Sequence, residues 1–176
     1  ASADFIVDDD SVIQFNDDIK NRYTWHCGGN KLNTYGGSFY KLCKNNNSIG
    51  IEICSNNKQN KITSPNDKNW YFTDKTLNNV IELVKFLMKE YNIQIDNVIR
   101  HYDVTGKLCP GIIGWNLDSG NEIQWFSFKE KFKEPEENKL INDLKQEVDY
   151  WKNKYISLKN KLIEINNETK NYLIYS

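Results

Sequence analysis

Thr73-Asp74-Lys75-Thr76-Leu77-Asn78-Asn79-Val80-Ile81-Glu82-Leu83-Val84-Lys85-Phe86-Leu87-Met88-Lys89-Glu90-Tyr91-Asn92 is the stretch on which the architecture turns. Leu77, Val80, Ile81, Val84, Leu87 and Tyr91 recur at helical spacing, Thr73 or Asp74 can cap the start, and Asn92 closes the run. The segments around it have a different period. Phe5-Ile6-Val7, the acidic Asp8-Asp9-Asp10 and Ser11-Val12-Ile13-Gln14-Phe15 read as a hairpin. Ser48-Ile49-Gly50-Ile51-Glu52-Ile53-Cys54 alternates and is rich in β-branched residues, as a partly buried strand would be. Ile93 to Ile99 offers a further short strand leading into His101. Strands alternating with a helix predict an α/β (α+β) domain over residues 1–132, with a mixed central β-sheet flanked by helices.

After Pro135 the pattern changes. Ile141, Leu144, Val148, Trp151, Tyr155, Leu158, Leu162, Ile165, Thr169 and Tyr172 follow one another in alternating steps of three and four. That is a heptad seam, flanked by Lys145, Glu147, Lys152, Lys154, Lys159 and Lys161. A long C-terminal helix over 136–174 is predicted. An apolar stripe this narrow needs something to cover it. It can lie along its own domain, dock on another chain, or pair with a second copy as a coiled coil, which would make the protein a homo-oligomer.

Composition limits the function classes. The 176 residues suit one domain with a short appendage, and 39% hydrophobic with 13% aromatic residues is enough to fill a core. With 23 Lys+Arg against 24 Asp+Glu the net charge is -1, so the electrostatic pull that nonspecific nucleic-acid binding relies on is missing. Apolar runs such as Val80–Ile81 and Leu83–Val84 fall far short of the ~20 residues that span a bilayer. Ala1-Ser2-Ala3-Asp4 carries no secretory leader pattern and no initiator Met. Cysteines at 27, 43, 54 and 109 follow no framework spacing, so mostly free thiols in a chain made in a reducing cytoplasm are expected.

The chemistry concentrates in Arg100-His101-Tyr102-Asp103-Val104-Thr105-Gly106-Lys107-Leu108-Cys109-Pro110-Gly111. An imidazole and a thiol eight positions apart, with a glycine turn between them, can fold onto one Zn²⁺, which accepts mixed nitrogen and sulfur ligands. Spacing alone leaves open a buried structural His101 and an inert Cys109. Lys107, two positions before the thiol, could face charge developing beside a metal. Cys27, Cys43 and Cys54 read as packing residues, and a Cys27–His101 nucleophile pair is a formal alternative. Trp70, Tyr71, Trp115, Trp125 and Phe126 read mostly as core, with one or two rings free to stack on sugars.

The run HYDVTGKLCPG, with NNNSIGIEIC and TWHCGG upstream, resembles the zinc-dependent N-acetylmuramoyl-L-alanine amidases of phage endolysins and bacterial peptidoglycan recycling, related to peptidoglycan recognition proteins. The resemblance implies cleavage of the amide between N-acetylmuramic acid and L-alanine in peptidoglycan. It implies synthesis in the cytoplasm and action at the cell wall. His101 and Cys109 match two zinc ligands, Lys107 the lysine that stabilises the tetrahedral intermediate, and Glu52 a general base or water-orienting group, with a metal-bound water that needs no separate base as the alternative. His26 matches a histidine beside the substrate cleft. Asp103 would hold the loop or the His101 ring in register. The family's first ligand, a histidine ending an earlier strand, has no counterpart in these residues and is expected upstream of Ala1. His26 or Cys27 completing the site, a metal-free peptidoglycan-binding fragment, and a coiled-coil assembly module are the alternatives.

Overall fold

The computed structural model describes residues 2–30, 36–133 and 136–174. The chain divides into two compact units, Ala1–Lys133 and Glu134–Ser176. In the first, β1 (Phe5–Val7) pairs antiparallel with β2 (Val12–Gln14) and parallel with β3 (Ile51–Ile53). The mixed sheet therefore runs β2-β1-β3. The register sets Val7 opposite Val12 on one side and Ile53 on the other, and Ile6 opposite Glu52. A second ribbon joins β4 (Asn56–Asn57) to β5 (Trp70–Tyr71).

Helix α1 (Asp74–Glu90) forms where the spacing predicts it. Thr73 caps it, accepting from the Thr76 amide at 3.0 Å, a contact typically worth about 1 kcal/mol. The hairpin turn is tied to this same end. Thr73 and Thr76 both donate their hydroxyls to Asp9, and Lys75 meets Asp10 at 2.6 Å. These hydroxyls hold the Asp9 carboxyl below its usual range. Val80, Ile81, Leu83, Val84 and Leu87 are buried against Phe5 and Val7, each contributing about 1.5–3 kcal/mol on complete burial. Helix α3 (Ile123–Glu130) closes the core with Trp125 and Phe128 against Trp115.

Two expectations need correcting. Ile93–Ile99 is not a strand. Asn92 turns left-handed (φ 53°), and Ile95–Asn97 winds into a single tight 3₁₀ turn. The Asp96-Asn97 pair favours that turn over the extended alternation read from the isoleucines and valine. The strand expected over Ser48–Cys54 shrinks to Ile51–Ile53, because the Gly50 carbonyl accepts from both Asp4 and Phe5 amides and ends the regular ladder. The far edge of β3 pairs with no strand among the described residues.

In the second unit α4 spans Glu136–Ile174. Ile141, Leu144, Val148, Trp151, Tyr155, Leu158, Leu162 and Ile165 along it are each at least 42% exposed. No helix among the described residues is long and apolar enough to cross a membrane.

Candidate functional site

A short helix, α2 (His101–Thr105), carries the first of the chemically informative residues. Its start is fixed by Arg100, which is 8% exposed. The Arg100 backbone amide donates to Asp103 Oδ2 at 2.7 Å, and its guanidinium reaches Asp103 Oδ1 and Glu122 Oε1 at 2.6 Å each. It also donates to the Trp115 carbonyl and lies 4.9 Å from the Trp125 ring centre. A cation this deeply set persists because two carboxylates and a carbonyl replace its water. Asp103 therefore positions the His101 turn through Arg100, and no hydrogen bond joins it to the His101 ring.

The His101 ring is seated against the Cys27–Gly28 backbone, and its Nε2 is buried with no hydrogen-bond partner. Gly28 permits this close approach: it has φ +74°, and a Cβ there would stand 2.7 Å from Nε2. Burial and the nearby Lys107 cation both push the His101 pKa down, which favours the neutral, ligating ring.

One cavity of about 740 Å³ collects the candidates: His26, Cys27, Glu52, His101 and Cys109 all line it. It runs beside the half-buried Ile51 and Ile53 of β3 and reaches Val98 and Ile99. Cys109 is tied to α2 through its carbonyl, which accepts from the Tyr102 amide at 3.3 Å. Burial raises its thiol pKa, the Glu52 carboxylate raises it further, and Lys107 opposes both. Glu52 and Lys107 are exposed, one on β3 and the other just past Gly106, which caps α2. Among the described residues no three His, Cys, Asp or Glu side chains gather closely enough to hold an ion. The His101 imidazole and the Cys109 thiol line the same cavity and are donor types that zinc accepts.

His26 is seated differently. Its Nδ1 lies 2.9 Å from Thr24 Oγ1 and its Nε2 lies 2.8 Å from Ser48 Oγ. Ser48 donates its single hydroxyl proton to the Lys44 carbonyl at 2.6 Å, so it accepts from His26 Nε2–H. Thr24 then donates to Nδ1. Both nitrogens are thus occupied. Burial lowers the His26 pKa, against the opposing pull of Asp4, the Thr24 backbone and Glu52. Asp4, 1% exposed, accepts from Gly50 N and Asn16 Nδ2 at 2.7 Å each.

Asp4, Thr24, Ser48, Arg100 and Glu122 all support the site, and none stood out in the sequence. Only the charge of Arg100 beside His101 could have signalled it. Of the aromatic residues, Trp115 and Trp125 are core, whereas Phe126 is 56% and Tyr71 37% exposed. Cys27 is buried, Cys43 half-buried and Cys54 exposed, and all four thiols are free.

The sequence profile of the N-acetylmuramoyl-L-alanine amidase family matches residues 1–112. A probable N-acetylmuramoyl-L-alanine amidase of Bacillus licheniformis is 35% identical over 83 residues, which are 47% of this chain and 20% of that protein. The N-acetylmuramoyl-L-alanine amidase CwlL of the same species is 32% identical over 105 residues, 60% of this chain and 25% of the relative. The chain thus spans a quarter or less of the length of these two relatives. Among solved structures, the catalytic domain of XlyA is 31% identical, with 75% of this chain and 65% of that one aligned at a TM-score of 0.48.

Proposed function

The chain belongs to the N-acetylmuramoyl-L-alanine amidase family, and from that premise we propose that it is the zinc-binding part of a peptidoglycan hydrolase. The bond cut is the amide between N-acetylmuramic acid and L-alanine, as in a phage endolysin acting at the cell wall. The observation that carries this reading is the one cavity that His101, Cys109 and Glu52 all line, with the His101 ring seated on the Cys27–Gly28 backbone and no partner for its buried Nε2.

The His101 imidazole and the Cys109 sulfur would hold the zinc. When bound, zinc supplies Lewis acidity toward a carbonyl oxygen and toward water. A catalytic site takes three protein ligands, so the third comes from outside the described residues. The unpaired edge of β3 and the apolar cavity beside it support an extended segment there, one that ends near His101. Glu52 accepts the proton of the attacking water and passes it to the leaving L-alanine nitrogen. Lys107 Nζ faces the oxyanion that forms at the lactyl carbonyl, where positive charge counts for more than in open water. Arg100 and Asp103 keep α2 in place. His26, with both nitrogens committed, shapes the cleft wall.

Purified cell walls provide the test. Release of peptides headed by L-alanine, together with stoichiometric zinc by elemental analysis, is expected from protein carrying the third donor. Zinc without release would sink the amidase assignment. The two-donor set of this chain favours a second reading for residues 1–176 alone, wall binding without cleavage. Retained wall pull-down without zinc would support it.

Helix α4 is proposed to pair with a second copy through its heptad seam. In a parallel pair Glu147 meets the partner's Lys152, while Lys154 meets the partner's Lys159, so electrostatics give little and the apolar seam must drive pairing. Sedimentation with and without 136–174 tests this. An unchanged mass state on deletion would end it.

A further inference from the structure

Cys27 and Cys43 are 16 positions apart, and their Sγ atoms are 3.3 Å from each other. The backbone beside them is already fixed: Asn45 Oδ1 accepts from both the His26 and Cys27 amides, at 3.1 and 2.9 Å. Cys54 and Cys109 have no such sulfur neighbour among the described residues. Neither thiol of the pair has a task in the hydrolysis proposed above, since it is the Cys27 backbone, not its thiol, that bears on His101. We infer that Cys27 and Cys43 form an intrachain disulfide once the protein leaves a reducing compartment, and that this bridge staples the segment against which the His101 ring is seated. The inference does not depend on the hydrolase reading.

The path to the bond is open on one side only. Cys43 is half-buried and Cys27 is 6% exposed. Both line a small cavity of about 260 Å³ that Lys41 and Lys44 also border, a setting suited to an anionic low-molecular-weight disulfide. The Cys43 thiolate attacks one sulfur of R–S–S–R, forming Cys43–S–S–R and releasing RS⁻. Cys27 then attacks the Cys43 sulfur, breaking the mixed disulfide and expelling the second RS⁻. Two thiols give up two electrons to the reagent, and their two protons leave on two R–SH. Burial pushes the Cys27 thiol up to about 11, so it reacts second, once an electrophilic sulfur lies beside it.

The bridge would close the loop from 27 to 43 against α2, where Gly37 donates to the Tyr102 carbonyl at 2.9 Å and Phe39 to the Asp103 carbonyl at 2.8 Å. Oxidation therefore tightens the backbone directly behind His101. A reduced cytoplasm keeps the pair open, and an extracytoplasmic setting closes it.

The test uses the full chain incubated with oxidised glutathione, denatured, alkylated and cut with trypsin. The expected product is a mass loss of about 2 Da, with the peptide spanning 23–31 joined to that spanning 42–44 and with Cys54 and Cys109 alkylated. Alkylation at all four cysteines, glutathione retained on Cys43, or a bridge through Cys54 or Cys109 would overturn the inference. A second measurement addresses the stapling. The oxidised chain should melt roughly 5–15 °C above the reduced one, and Cys43→Ser should show no such difference. No rise in the native chain, or an equal rise in Cys43→Ser, would refute that role.

Discussion

Around His26 the chain has spent its polar groups on closure. Thr24 and Ser48 take the two ring nitrogens, Asp4 lies 3.8 Å away, and Gly50 packs under the ring. Around His101 the same kinds of groups do half as much. The ring rests on the Cys27–Gly28 backbone, its buried Nε2 has no partner, and Arg100 holds the helix end. Both rings lose basicity mainly through burial. The difference is hydrogen-bond completeness. A buried polar atom without a partner costs free energy, so its persistence points to a partner the polypeptide has not supplied.

The largest expected effect separates the two seats directly. In protein carrying the third donor, His101→Ala and Cys109→Ser should lose zinc and wall hydrolysis altogether, whereas His26→Ala should keep its zinc. Elemental analysis after dialysis reads both. Equal zinc loss in His26→Ala would erase the distinction between the seats. Gly28→Ala belongs with the first group, because its Cβ would crowd His101 Nε2 at 2.7 Å on a backbone with φ +74°.

Next in size is the support under His101. Arg100→Met leaves the half-buried Asp103 and Glu122 without their cation and should cost up to about 3–5 kcal/mol in urea unfolding. A loss below 1 kcal/mol, by the same principle a surface-pair value of roughly that order, would mean water already reaches the cluster. Under His26 the matching change is Gly50→Ala, whose Cβ would fall 2.5 Å from His26 Cγ. Overpacking of this kind costs about 1–3 kcal/mol. Zinc content should be unchanged, and if it fell with stability the two seats would be one coupled unit.

The smallest effect is in pH. A histidine whose pKa is lower in the fold than in the unfolded chain binds fewer protons when folded. Its contribution is intact above the unfolded value of about 6.5, and stability falls as pH drops through that value toward the folded one. With a chelator present, the chain should lose stability between about pH 7.5 and 5.5. His26→Gln should show a shallower loss, because one of the two depressed groups is gone. An unchanged slope would place the acid sensitivity elsewhere.

Much of this was readable before any coordinates. The spacing of Leu77 to Tyr91 and the Thr73 cap sufficed for α1, the hairpin formed around its acidic turn, and the step of three and four along 141–172 produced α4. His101, Glu52 and Cys109 do line one cavity. Short-range periodicity settles such features because each depends on neighbours a few residues away. The segment 93–99 escaped that logic, since a left-handed Asn92 and a 3₁₀ turn overrode an apolar alternation.

What the sequence by itself determined is the identity of the donors and the order of the elements. Local spacing places a capped helix, a hairpin and a His–Cys loop without reference to the rest of the chain. Only the tertiary structure decided which histidine keeps a free nitrogen. That choice rests on Thr24, Ser48, Cys27 and Gly28, none of which has a periodic signature. It also rests on an Arg100 cluster that draws in Glu122 and Trp115 from later in the chain. Hydrogen-bond saturation is a property of the packed site, so no residue type could announce it alone.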